Sequence, residues 1–120
     1  MSNSAIEAQI AYIQKKISYI ETILKRHNGT KNALADEVEA RAAIMMSLMQ
    51  IGETINKIDA GLLEQFDLLQ DAKGAYSVRN FIAHDYEGVD VALIAEIIND
   101  NVPQLGRKLQ NLKEYISSNG

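Results

Sequence analysis

The chain contains no cysteine, no tryptophan, one proline and two phenylalanines in 120 residues. Lack of cysteine removes disulfides, thiolate metal sites and a thiol nucleophile together. No run approaches the roughly 18 consecutive apolar residues of a membrane span, so no membrane association is expected. The opening Met1 Ser2 Asn3 Ser4 has no basic region followed by an apolar run, so no export signal is expected and the cytoplasm is the expected compartment. Positive charge is also scarce. Twelve basic residues against sixteen acidic leave a net charge of -4, so the surface as a whole repels nucleic acid and any such contact must be local.

What remains is rich in helix formers, with 47% hydrophobic residues. A chain of this length is expected to form one domain, residues 1–120, around one core. Ile6, Ile10, Ile13, Ile17, Ile20 and Leu24 recur at spacings of four and three, which predicts a helix from Ala5 to His27. Asn28 and Gly29 supply its stop. His27 then reads as a C-terminal capping residue, with a site role as the alternative.

A second long helix is predicted from Lys31 to Asp59, with one apolar row through Leu34, Val38, Ala42, Met45 and Met49 and another through Ile44, Leu48, Ile51, Ile55 and Ile58. Either all of these are core, or one edge with Met45, Met46 and Met49 meets another molecule. Gly52 interrupts this helix, as glycine does where another element comes close. Glu53, beside it, is either an acidic partner for Arg79 or a solvated glutamate. A short helix or turn between Ala60 and Gly74 reverses the chain, and a further helix follows from Asp71 to Tyr86. Asp90 is a plausible N-cap for a last helix carrying Ile94, Ile98, Val102, Leu105, Leu109, Leu112 and Ile116. Pro103 should kink or split it near Asn101. With no strand pattern, the expected fold is all-α, an up-and-down bundle of four to five helices.

The chemistry concentrates in Arg79 Asn80 Phe81 Ile82 Ala83 His84 Asp85 Tyr86. Arginine grips phosphate oxygens through a planar fork, and histidine donates and accepts protons near neutrality. On a helix Val78 and Ile82 face the core with Phe81 and Ala75 at their flanks, and Arg79, Asn80, Ala83, His84 and Tyr76 face away. Asn80 lies one turn before His84, within reach of the imidazole. Arg79 and His84 are about 140° apart around the axis and flank a groove rather than stacking. Metal-free cleavage of RNA by its own 2′-hydroxyl needs a base and an acid, and one chain supplies one histidine in this motif. Two chains across a two-fold axis would supply two, together with two arginines.

The arrangement Arg, four residues, His, one residue, Tyr resembles the signature of the HEPN superfamily, and within it the HepT-like toxins. The likeness extends to a helical bundle of this length, an Ile51 Gly52 Glu53 segment on the second helix and a proline-interrupted last helix. The resemblance implies a homodimeric, metal-independent ribonuclease without a cofactor. Arg79 would stabilise the scissile phosphate, His84 would transfer protons and Asn80 would support them. It also implies a minimal nucleotidyltransferase antitoxin as partner, which transfers AMP to Tyr86 and so blocks RNA. Two other readings stand beside this. Arg79 and His84 could tie helices together as structural residues, or the chain could be a non-catalytic helical partner of a nucleotidyltransferase or nucleotide. A hydrolase or metalloenzyme of another kind has little support, since no HExxH, Gly-rich phosphate loop or Ser-His-Asp arrangement is present.

Overall fold

The computed structural model describes residues 3–119. Met1 and Ser2, which belong to the terminus expected to carry no export signal, lie outside the described residues. The described chain is all-helical: α1 Asn3–Arg26, α2 Thr30–Ala35, α3 Ala40–Ile55, α4 Ala60–Gln65, α5 Leu69–His84, α6 Val91–Glu96 and α7 Val102–Asn119. A π-helical turn, Ile97–Asn101, joins α6 to α7. Counting α6 to α7 as one body gives six helices among the described residues, where four to five were expected. The buried apolar side chains form one contiguous cluster, with Ile10, Ile13, Ile44, Ile55, Leu68, Leu109 and Leu112 fully enclosed.

Helix α1 follows its isoleucines: Ile6, Ile10, Ile13, Ile17 and Ile20 are all buried. It stops where Asn28 takes a φ of 60° and Gly29 one of 121°, and the Gly29 N–H turns back to the Leu24 carbonyl at 2.8 Å. His27 caps as expected, with Nδ1 2.9 Å from the Ile23 carbonyl.

The second long helix is divided. Asp36 ends α2, and its carboxylate accepts the free N–H groups of Glu39 and Ala40 at 3.3 and 3.1 Å, starting α3 afresh. Arg41 secures the other side of the break by donating from Nε to the Leu34 carbonyl at 2.8 Å. Val38, expected in an apolar row, therefore stands in the turn at 84% exposure. The far end also falls short, since α3 stops at Ile55 and Asp59 instead caps α4 through the Leu62 N–H at 3.0 Å. The methionines divide between core and surface: Met45 is enclosed in the core and Met46 is 53% exposed.

Pro103 acts less abruptly than a break. It has no N–H for the carbonyl one turn earlier, and the chain absorbs the loss in the wider π turn, where the Val102 N–H reaches the Ile97 carbonyl. Helix α3 packs between α1 and α5, and α1 also meets α7. Gln9 and Tyr12, early in α1, share a shallow hollow with Gln50 and Glu53, late in α3, and with Lys57 just beyond it, so these two helices run antiparallel. No helix among the described residues is long and apolar enough to cross a membrane.

Candidate active site

Gly52 decides where Arg79 sits. A Cβ on Gly52 would come within 2.5 Å of the Ala75 carbonyl oxygen and 2.8 Å of the Arg79 Cβ, so α3 and α5 touch backbone to backbone at this level. The next residue, Glu53, is thereby brought alongside Arg79 and accepts its Nε–H at 3.2 Å. Arg79 Nη1 donates to Asn80 Oδ1 at 3.1 Å, and the guanidinium carbon lies 6.0 Å from the centre of the Tyr76 ring. The arginine is half-buried, held on three sides, and lines a cleft that it shares with His84.

Asn80 thus supports Arg79 and not the imidazole that its one-turn spacing suggested. His84 sits in the last turn of α5, exposed, and among the described residues its side chain makes no hydrogen bond or ion pair. Between Arg79 and His84 opens a cleft of about 780 Å³, whose far wall is Leu93, Ile94 and Ile97. Phe81, expected at the edge of the core, is 54% exposed and lines the cleft instead. The reason is that α5 packs mainly on α3, with Ala72, Val78 and Ile82 buried, while Phe81 looks across open space to Leu93 and Ile97. The far wall was not legible in the motif, because α6 reaches it only through the turn that follows His84.

That turn also places Tyr86. Helix α5 ends at His84, not at Tyr86, and Asp85 folds the chain by accepting the Gly88 N–H on Oδ1 at 3.1 Å. A Cβ at 88 would run into the Asp85 carboxylate, so a larger residue there would displace the side chain that makes the turn. Tyr86 is displayed on this turn at 40% exposure, beside the cleft and not among its lining residues. Among the described residues no three His, Asp or Glu side chains come together in a group that could hold a metal ion.

A half-buried arginine locked in place beside an exposed, uncommitted histidine at the mouth of a cleft fits the chemistry of phosphodiester cleavage. A family model described as Ribonuclease HepT-like matches residues 13–112, from the middle of α1 into the second half of α7. The chain belongs to the HepT-like ribonuclease family. Its family activity is cleavage of RNA, and the resemblance first drawn from Arg79 to Tyr86 holds at that level. Neither a curated protein nor a solved structure gave a significant match.

Within this HepT-like chain, the ion pair between Arg79 and Glu53 acts through position more than through stability. Both groups are partly exposed, so the pair itself adds at most about 1 kcal/mol to stability. Its larger effect is positional, because an arginine fixed at Nε and Nη1 presents its remaining protons in one direction.

Proposed function

We propose that the chain is the toxin of a toxin-antitoxin pair, a metal-independent endoribonuclease acting as one helical domain, residues 1–120, whose site is completed across a homodimer. The observation that carries this reading is the pairing of an anchored Arg79 with an unpartnered His84 on one cleft. In the reaction the RNA 2′-oxygen attacks its own phosphorus and the bond to the 5′-oxygen breaks, leaving a cyclic phosphate and a 5′-hydroxyl. One imidazole accepts the proton of the 2′-hydroxyl, and a second, protonated, supplies one to the leaving oxygen. Arg79, supported by Asn80, meets the charge that gathers on the phosphoryl oxygens. Since each chain brings one motif histidine, the pair comes from two chains. The outer side of α3, where Met46 is exposed two turns before Arg79's partner Glu53, suits such a contact.

Tyr86 is the acceptor of AMP from a minimal nucleotidyltransferase antitoxin. Its place on an exposed turn at the rim leaves the phenol open to another enzyme, and the added nucleotide would set bulk and negative charge at the cleft mouth.

Partner-free protein should cut single-stranded RNA in chelator to cyclic-phosphate ends, and Arg79→Ala and His84→Ala should each abolish cutting while helicity and dimer mass persist. Wild-type protein that cuts no RNA refutes the nuclease reading, and a strict monomer refutes the composite site. Intact mass after incubation with the nucleotidyltransferase and ATP tests Tyr86. An adenylate increment that survives Tyr86→Phe removes that residue.

A further inference from the structure

One edge of α1 carries two exposed tyrosines, Tyr12 and Tyr19. At about 100° per residue, Tyr12, Lys16, Tyr19 and Arg26 fall on a single edge of this helix with Lys15 beside them. Both acidic residues of the helix, Glu7 and Glu21, fall on the opposite edge, together with Lys25. Such segregation stands out in a chain with four more acidic than basic residues.

The edge is built as well as charged. Lys16 Nζ lies 5.0 Å from the centre of the Tyr12 ring and 4.9 Å from that of Tyr19, so one ammonium is held between two tyrosines, and Lys15 Nζ is 5.9 Å from the Tyr19 ring. The rings keep 38% and 42% of their residues' surface open to water. Neither Lys15 nor Lys16 enters an ion pair among the described residues. The edge also leads to the site. Gln14, on the other side of α1, bonds Gln110 of α7, whereas Tyr12 shares its hollow with Lys57 and with the Glu53 that holds Arg79.

We propose that this edge is a second binding surface for single-stranded RNA, which carries the strand beyond the Arg79–His84 cleft. Every base has a π-face, and the outer faces of Tyr12 and Tyr19 offer two stacking positions about 10 Å apart along the helix. The ammonium between the rings meets the phosphate that links the stacked nucleotides, with Lys15, Lys57 and Arg26 along the same path. This locates the RNA affinity of an acidic protein on one local strip. It also makes length the basis of substrate choice, since a short RNA that fills only the cleft gains nothing from α1.

The inference rests on the ribonuclease reading, and two measurements separate their failures. In the first, anisotropy of a long labelled single-stranded oligoribonucleotide is followed on full-length His84→Ala protein, so that nothing is cut. Tyr12→Ala/Tyr19→Ala should weaken binding at least about tenfold, and Tyr12→Phe/Tyr19→Phe, which keeps both rings, should bind like its parent. Lys15→Gln/Lys16→Gln should lower the slope of log affinity against log salt by about 0.7 for each phosphate that the lysines no longer neutralise. In the second, cleavage of a dinucleotide by protein with His84 intact should be the same with and without the two tyrosines.

Equal affinity of the alanine and parent proteins overturns the inference, as does loss of dimer mass in the alanine variant, which would make the edge a protein interface. Protein that cuts neither long nor short RNA overturns the ribonuclease reading instead. The anisotropy series still decides the edge in that case.

Discussion

Gly52→Ala tests the close approach on which the whole site hangs. In an open helix this change stabilises by about 1 kcal/mol, because alanine is the better helix former. Here the new methyl group would stand 2.5 Å from the Ala75 carbonyl oxygen, where ordinary contact begins at 3.4 Å, so about 0.9 Å must be found. The obstacle is helix backbone, so it yields only if α3 and α5 part. Overpacking of this kind costs about 1–3 kcal/mol, and a gap approaching 1 Å forfeits a quarter to a half of the dispersion energy of the atoms lining it. After the propensity gain is offset, the variant should be about 1–2 kcal/mol less stable, or roughly 4–8 °C lower in Tm. The movement also carries Arg79 away from Glu53, so RNA cleavage should fall by about a hundredfold, the usual result of a 1 Å misplacement in a site. Urea denaturation and cleavage kinetics provide both readings. Gly74→Ala is the internal control: it lies in α5 with nothing within 4 Å of the added methyl, and should stabilise by about 0.5–1 kcal/mol with cleavage unchanged. If Gly52→Ala matches that control in stability and activity, the close approach of α3 and α5 is wrong, and with it the placement of Arg79.

Three further outcomes follow from the ion pairs and caps. Glu53→Ala should leave stability within about 1 kcal/mol, yet lower kcat for RNA cleavage about tenfold with KM little changed, and Glu53→Gln should recover most of the loss. Hydrogen bonds from the Ala40 and Glu39 N–H groups, aided by His27, hold the Asp36 carboxyl below its ordinary value of 3.8. Its contribution is therefore present above that pH and lost as pH falls below it, so Asp36→Asn should unfold at lower urea than the parent at pH 7, with the difference closing in acid. Asp71, with help from Asp67, outweighs partial burial and raises Lys108 above its ordinary 10.5. That stabilisation is fully present below 10.5 and lost as pH climbs past it, so the Tm gap between parent and Asp71→Asn should hold through neutral pH and shrink in strong base.

The isoleucine spacing of α1, the Asn28 Gly29 stop and the Asp90 cap were legible because each is a local pattern that one helix satisfies by itself. The break after Ala35 was not. Leu34, Val38 and Ala42 keep helical spacing, and nothing local distinguishes Asp36 as a cap from Asp36 as a mid-helix residue until Arg41 and His27 close around it. In the site, Arg79 and His84 could be named from their chemistry. Phe81 was misplaced because periodicity tells which residues share a face, and only packing tells which faces are covered.

By itself the sequence determined an all-helical chain with its reactive residues in one short motif, since turn residues, caps and apolar spacing act within a few residues of one another. Tertiary structure decided what those residues do together. Gly52 lets two backbones touch, Glu53 and Asn80 take hold of Arg79, and the turn at Asp85 lifts Tyr86 out of the helix onto the rim. Those relations join residues up to 26 positions apart, and they exist only once the core has brought α3 against α5.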